Sequence, residues 1–181
     1  KKLIVLGGSL SDKDNHITGW VNRMCGEYKK TSTYTIFRNG KIFEHFNPKY
    51  YSSFIDEEKI DKKIVSITLE NQGWLNKDLI NKRYFNWVGN IYKRNKSVYE
   101  KRWRGFVYWD SYTKKQMKSC VFLINYLCEN FNIKKNCVGH NTYINGIDMF
   151  EGVTYRSNFQ IEFTDLNPSW DFKTFKKLIE N

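Results

Sequence analysis

The stretch Leu3-Ile4-Val5-Leu6-Gly7-Gly8-Ser9 places a short apolar run directly before a loop of small residues. This pattern is typical of a buried strand that ends in a tight loop. A second apolar run, Ile64-Val65-Ser66-Ile67-Thr68-Leu69, ends in a similar way at Asn71-Gln72-Gly73. The sequence therefore predicts two short buried strands, at 3–6 and at 64–69.

Hairpin and helix signals lie between and after these strands. The runs 33–37 and 41–43 predict a hairpin that turns at Asn39-Gly40. Thr113 is a suitable cap for a helix, and helices are also expected after Asp14-Asn15 and after Asp171. Strands interleaved with helices predict an α/β fold, with a central mixed β-sheet flanked by helices. The apolar residues expected on one face of these helices are Ile17, Trp20, Val21 and Met24 in the first, Met117, Cys120, Val121, Ile124 and Leu127 in the second, and Phe172, Phe175, Leu178 and Ile179 in the last.

The segment 76–111 interrupts this pattern, because it is dense in aromatic and basic residues. We predict that it is an insertion of short strands or loops within a single domain that spans residues 1–181. Aromatic rings stack on sugars or bases, and cations bind phosphates or carboxylates. The same residue types form protein interfaces, and an aromatic flap packed on its own domain is a third interpretation. The residues expected on the insertion surface are Trp87, Tyr92, Arg94, Trp103 and Arg104.

Composition limits the class of protein. The chain has 181 residues and a formal net charge of +11, and its content of 40% hydrophobic and 17% aromatic residues excludes a disordered chain. No apolar run approaches the ~18–20 residues of a membrane span, and the start lacks a signal peptide's apolar core. The positive charge is compatible with nucleic acid, with an anionic envelope polymer or with a lysine-rich background. Four cysteines without a CxxC pair indicate reduced thiols and synthesis inside the cell.

Several motifs occur in a characteristic order along the chain. Tyr34-x-Ile36-x-Arg38-x-Gly40 is followed by Ile67-x-Leu69-Glu70-Asn71-x-Gly73, and later come the remaining three, Tyr112-Thr113-x-x-Gln116, Gly139-His140-Asn141 and Asp165-Leu166-Asn167-Pro168-Ser169-Trp170-Asp171. With these motifs the chain resembles the N-acetylmuramoyl-L-alanine amidase family, which includes phage lysozyme-amidases and peptidoglycan recognition proteins. The resemblance covers nearly the whole chain except the insertion. It implies a fold in which a zinc ion, held by two histidines and a Cys or Asp, activates water to cut the amide between muramic acid and the stem peptide.

The resemblance also implies site positions, and most of them carry altered residues here. Gly7 stands where the family has its first zinc ligand, and His140 matches the second. Asn167 stands at the third position, with Asp165 two residues earlier as a substitute and at the position of a family lysine. Thr68 replaces a family glutamate, and a hydroxyl is a poor general base near neutral pH. Replacing Gly7 with histidine should then add an imidazole opposite His140 and raise the affinity for zinc.

The resemblance thus implies an amidase-like domain, of phage type, that has lost most of its zinc site. We expect it to bind peptidoglycan or a protein partner, to be made in the host cytoplasm, and to act for example as a virion or tail component. No resident cofactor is expected. The alternatives are an active amidase with zinc on His140, Asp165 and Asn167, and a nucleic-acid-binding protein. Arg156 is expected to anchor a carboxylate or phosphate, unless it belongs to a solvated turn. The residues expected to line the binding cleft are Gly7, Ser32, Tyr34, His140, Asn141, Arg156 and Asn158.

Overall fold

A computed structural model describes residues 1–12 and 31–181 of the chain. Its central sheet has the strand order β3-β2-β4-β1-β9. Strand β1 pairs in parallel with β4 and β9, β2 pairs in parallel with β4, and β3 is antiparallel to β2. The sheet is therefore mixed, as the sequence predicts. The strands are β1 (Leu3–Gly8), β2 (Tyr34–Ile36), β3 (Ile42–Glu44), β4 (Ile64–Leu69) and β9 (Gly152–Tyr155).

Helices flank this sheet, which confirms the predicted α/β class. The described helices are α1 (Glu58–Asp61), α2 (Lys114–Phe131), α3 (Arg156–Phe159) and α4 (Phe172–Glu180). Thr113 caps α2 through a capping box, in which Thr113 Oγ1 accepts from the Gln116 N–H and Gln116 Oε1 accepts from the Thr113 N–H. Asp171 caps α4 by accepting from the Thr174 N–H at 3.0 Å. In the described part of the chain, no helix has the length and apolar character to cross a membrane.

Two local predictions differ from the structure, and a third falls on residues that the structure does not describe. Strand β1 does not stop at Leu6, because Gly7 and Gly8 continue its pairing with β4. The run Asn136-Cys137-Val138 predicts a further short strand, but the structure has only a single bridge there, between Cys137 and Val153 of the unpredicted strand β9. The helix expected after Asp14-Asn15, with Ile17, Trp20, Val21 and Met24, lies outside the described residues.

The aromatic and basic segment forms a second, antiparallel sheet. Its strand order is β6-β5-β8-β7, and its rings pack on one another. Trp109 is fully buried, and the rings of Trp74 and Phe106 stack at 4.4 Å between centroids. Much of the aromatic content therefore builds the core of this sheet rather than a binding surface. The strands are β5 (Trp74–Asp78), β6 (Arg83–Asn86), β7 (Val98–Trp103) and β8 (Phe106–Asp110).

One buried carboxylate joins the two sheets. Asp110, at the end of β8, is fully buried and accepts hydrogen bonds from Arg38 Nη1 at 3.1 and 3.2 Å and from Arg94 Nη2 at 2.9 Å. It also accepts from the Tyr92 hydroxyl at 2.5 Å and from the Gln72 N–H at 2.8 Å. Tyr92 was expected on the insertion surface, but it is buried because its hydroxyl reaches this carboxylate; burial and the Asp110 charge raise its pKa.

We expect Asp110→Asn to destabilise the protein strongly. The amide cannot compensate the two guanidinium groups that converge on it, and removing one partner of a largely buried ion pair should lower the free energy of unfolding by about 3 kcal/mol. Chemical denaturation measures this loss, with the exposed Asp148→Asn as the control. Equal stability of the two variants would mean that the network does not hold the sheets together.

Candidate functional site

The candidate site lies at the carboxyl-terminal edge of the parallel strands. The strand register places Gly7 of β1 beside Thr68 of β4, and Thr68 beside Thr35 of β2. Thr68 and Thr35 are buried. Because the carboxyl ends of parallel strands meet at one edge, and ligands of open α/β sheets bind there, this row is where the sequence predicts the cleft.

The space directly above Gly7 is filled by an ion pair. A Cβ atom on Gly7 would lie 2.7 Å from Arg156 Cδ, 2.7 Å from Asp165 Oδ2 and 3.0 Å from Phe54 Cζ. The Gly8 N–H donates to Asp165 Oδ2 at 2.8 Å, and Arg156 Nη1 is 3.4 Å from the same oxygen. A glycine is therefore required at position 7 by the close approach of these two side chains.

Arg156 is held firmly in this position. It is the first residue of α3, and its guanidinium lies 5.0 Å from the ring centroid of Phe54 and 4.0 Å from that of Phe163. Cations are attracted to aromatic faces at such distances. Asp165 is itself buried, and its main-chain oxygen accepts from the Ser157 N–H at 2.9 Å. The pair is thus fixed from both sides.

His140 opens onto a different cavity. Its ring is exposed, and its Nδ1 lies 2.6 Å from Thr142 Oγ1. The cavity has a volume of about 510 Å³, and neither Asp165 nor Arg156 lines it. The lining residues are Tyr99, Lys101 and Trp103 of β7, Gly139, His140 and Asn141, and residues 168–173.

Three of the asparagines that the sequence singled out have structural roles. Asn158 is buried, and its Nδ2 donates to the main-chain oxygens of His140 at 3.0 Å and Thr142 at 2.7 Å. Asn141 Nδ2 donates to the Leu166 oxygen at 2.9 Å. Asn167 is buried; its Nδ2 donates to Asn71 Oδ1 and to the Asp110 oxygen, and its Oδ1 accepts from the Ser169 N–H and hydroxyl. Asn158 therefore shapes the loop around His140 but does not line the cleft.

The remaining predicted residues are dispersed. Ser32 is buried and its hydroxyl donates to the Tyr34 oxygen, while Tyr34 belongs to the apolar core, where burial and Glu44 raise its pKa. Neither lines the His140 cavity. Trp87 donates from Nε1 to the Leu10 oxygen, at a place apart from the cleft. Arg94 is bound to Asp110.

Arg104 connects the tip of the β7–β8 hairpin to α3 and to the segment that follows α3. Its guanidinium donates to the main-chain oxygens of Ser157 at 2.9 Å, Gln160 at 3.1 Å and Phe163. The neighbouring Trp103 ring lies 4.6 Å from this guanidinium and forms part of the cavity wall. The insertion thus supplies one side of the cavity next to His140.

Sequence reasoning missed three groups that matter here. Arg38 lies in the Tyr34–Gly40 motif, but nothing in the sequence indicates that it binds Asp110. Tyr99 and Lys101 share one face of β7 with Trp103, so the alternation Tyr99-x-Lys101-x-Trp103 was a usable signal for a lined wall.

The described residues do not fit a zinc ion. Gly7 has no donor atom, both amide atoms of Asn167 are engaged, and Asp165 is paired with Arg156. His140 lies in the other cavity. Within residues 1–12 and 31–181, no group of three or more His, Cys, Asp or Glu side chains is placed to hold a metal, whereas zinc sites use at least three protein ligands. The three described cysteines are free and buried.

Solved structures with the same architecture are N-acetylmuramoyl-L-alanine amidases. AmiD from Escherichia coli, in complex with anhydro-N-acetylmuramic acid-L-Ala-D-γ-Glu-L-Lys, matches with a TM-score of 0.63 and 12% identity over 98% of this chain and 56% of its own. LysC from Clostridium intestinale matches with a TM-score of 0.57 and 12% identity over 97% of this chain and 83% of its own. The endolysin LysCS from the same organism matches with a TM-score of 0.57 and 12% identity over 97% of this chain and 81% of its own.

These likenesses define the fold class. The chain has the fold of the N-acetylmuramoyl-L-alanine amidases, which confirms at the level of the fold the resemblance drawn from the motif order. It spans little more than half of the AmiD chain. No protein-family model matches the sequence, and none of the curated proteins matches it either.

The filled space above Gly7 changes what substitutions there should do. Gly7 lies in a strand without a positive φ, so the obstacle is contact rather than backbone strain. We expect Gly7→Ala to lower the free energy of unfolding by about 1 to 3 kcal/mol, as for other overpacked sites. Gly139→Ala is the control, because its Cβ would meet only the flexible Lys176 Cδ, at 3.1 Å.

Zinc affinity gives the second readout. Gly7→His alone should not raise the affinity for zinc, since Arg156 and Asp165 occupy the space of the imidazole. Gly7→His/Arg156→Ala should have a higher thermal stability than Gly7→His. Isothermal titration with Zn²⁺ and thermal unfolding measure both effects. A stable Gly7→His variant that binds zinc tightly would show that the ion pair does not fill the site.

His45 gives the row at the sheet edge a pH dependence. Its Nε2 lies 2.9 Å from Thr35 Oγ1, and burial lowers the pKa of His45 to about 4. An unfolded histidine titrates near pH ~6.5, so the stabilisation is complete above that pH and is lost as the pH falls from ~6.5 towards the folded value. Urea unfolding across this window should show a steeper loss for the native chain than for His45→Gln. A His45→Gln variant that loses stability as steeply as the native chain over this window would contradict the assignment.

Proposed function

We propose that this chain is a binding module for peptidoglycan fragments, built on an amidase fold and working without a zinc centre. The observation that carries the proposal is the Arg156–Asp165 pair, which occupies the space beside Gly7 where the resemblance places the first ligand. The Arg156 guanidinium lies against the rings of Phe54 and Phe163 and compensates the Asp165 charge without a metal.

The cavity beside His140 supports a saccharide-peptide ligand. Small-molecule sites combine aromatic walls with a few polar groups that fix orientation. Here Trp103 and Tyr99 provide rings, His140 provides an exposed imidazole, and Lys101 and Lys173 provide cations for carboxylates. A muramyl-peptide carries both sugar faces and free carboxylates, so it can contact the aromatic rings and the lysine cations of this cavity.

The comparison with AmiD favours the same ligand class. AmiD has the same fold and was solved with a muramyl-tripeptide bound. In this chain the insertion adds a wall to the His140 cavity, and Arg104 keeps that wall in place through three main-chain acceptors. We infer that the insertion contributes to ligand binding rather than to a separate activity. A phage origin, a virion location and a protein partner stay predictions from the sequence.

Binding and cleavage can be measured with the same ligand. We expect the purified chain to bind anhydro-N-acetylmuramic acid-L-Ala-D-γ-Glu-L-Lys in calorimetry, with or without a chelator, and to release no free alanine amino terminus in the presence of added Zn²⁺. Trp103→Ala should weaken binding by about tenfold or more, since stacked aromatic side chains dominate such sites. Lys101→Ala, at an exposed position, should weaken it less.

The matched controls are Trp87→Ala and Lys96→Ala, which lie on the same insertion but outside the cavity. Both should bind as the native chain does. Zinc-dependent release of the amino terminus would replace this proposal with the active amidase. Binding of duplex DNA that weakens steeply with salt, without muramyl-peptide binding, would favour the nucleic-acid alternative.

A further inference from the structure

The tip of the β5–β6 hairpin exposes two large aliphatic side chains next to each other. Leu79 has an exposed fraction of 80% and Ile80 one of 90%. They follow the last residue of β5 and precede Arg83, the first of β6. Single exposed apolar residues are common on protein surfaces, but an adjacent pair at the end of a protruding turn leaves a contiguous apolar tip in water.

The turn that carries this tip is closed by hydrogen bonds to the Asp78 side chain. Asp78 Oδ1 accepts from the Ile80 N–H at 2.9 Å and from the Asn81 N–H at 3.2 Å, and its Oδ2 accepts from Asn81 Nδ2 at 2.8 Å. The Asn81 side chain is the main reason that the pKa of Asp78 is lowered. Because the side chain of Asp78 closes the turn, Leu79 and Ile80 are presented in a fixed position with little further loss of conformational entropy on binding.

Basic residues flank the apolar tip on both sides in sequence. Lys82 and Arg83 are exposed on the return side, and Lys77 precedes Asp78 on the other. Lys77 Nζ lies over the rings of Tyr84 and Tyr108, at 5.8 and 5.2 Å from their centroids. The carboxylate of Asp78 is the acidic group of this segment, and its oxygens are engaged in the turn. Residues 77–83 therefore combine an apolar point with a basic collar.

We propose that this tip, Leu79 and Ile80 with the collar of Lys77, Lys82 and Arg83, is a membrane-interface anchor for bilayers that contain anionic phospholipids. Aliphatic side chains partition into the boundary between headgroups and acyl chains, and nearby lysines and arginines bind the anionic surface. A specific protein interface buries about 1,200 Å² or more, which two side chains on a protruding turn do not supply. A bilayer accepts such a tip without a complementary surface. This anchor is independent of the proposed peptidoglycan site.

Vesicle flotation of the full chain tests the anchor. The probes are vesicles of phosphatidylcholine alone and of an equimolar mixture with phosphatidylglycerol. We expect the native chain to bind the anionic vesicles. The affinity of Leu79→Ser/Ile80→Ser should be lower by about tenfold or more, because serine side chains gain no free energy on transfer from water into the bilayer. Lys82→Gln/Arg83→Gln should also weaken binding, by about fivefold for each charge removed.

Matched variants separate the tip from general surface effects. Met149→Ser/Ile161→Ser removes two other exposed apolar side chains, with exposed fractions of 81% and 64%, and should bind as the native chain does. Lys114→Gln/Lys118→Gln removes two exposed charges of α2 and should have less effect than the pair at the tip. Equal binding of Leu79→Ser/Ile80→Ser and the native chain would overturn the proposal, as would binding to neither vesicle.

The depth to which residue 80 enters the bilayer is the second measurement. Ile80→Trp should be quenched by brominated acyl chains, whereas Met149→Trp should not. Vesicle binding without quenching at position 80 would mean that the charge of the protein alone causes the binding, and the anchor would be rejected. Self-association that Leu79→Ser/Ile80→Ser abolishes, without vesicle binding, would assign the tip to a protein contact instead.

Discussion

The architecture depends on one buried charge. Asp110 ends the last strand of the insertion, and its carboxylate is reached by arginines from two parts of the chain, Arg38 beyond β2 and Arg94 within the insertion. Its main-chain oxygen accepts from Asn71 and Asn167. Burying a carboxylate completely costs free energy unless a positive charge compensates it and its oxygens accept hydrogen bonds. Because both conditions are met only when the two sheets are in contact, the insertion and the central domain form one unit at this point.

The candidate site is shaped by the same requirement that buried charged and polar groups have partners. The resemblance led us to expect a depleted zinc centre, in which His140, Asp165 and Asn167 remain near one another. Instead each has acquired partners that define a separate role. Asp165 pairs with Arg156, Asn167 binds main-chain and side-chain groups around Asp110, and His140 faces a cavity whose far wall comes from the insertion. In a chain with the amidase fold, these three residues therefore do not converge on one centre.

Periodicity and capping predicted the elements that are determined locally. The strand at 64–69, the hairpin at Asn39-Gly40 and the helix after Thr113 each carry their own signal in a few neighbouring residues, and the structure has all of them. Strand β9 was missed because it is four residues long and gains its place by pairing with β1. The sequence predicts a carboxylate or phosphate as the partner of Arg156, but it does not indicate that this partner is Asp165 of the same chain. The two aromatic neighbours of Arg156 could not be predicted either, because Phe54 is brought to it only by the fold and Phe163 lies in an irregular segment.

The Arg104 contact has an evolutionary consequence. All three of its acceptors are main-chain oxygens, at Ser157, Gln160 and Phe163. Any residue type offers the same oxygen, so point substitutions at those positions leave the acceptors intact as long as the local backbone path is kept. The insertion can therefore remain attached while the segment beneath it drifts in sequence. An attachment of this kind tolerates divergence that a side-chain pair would not.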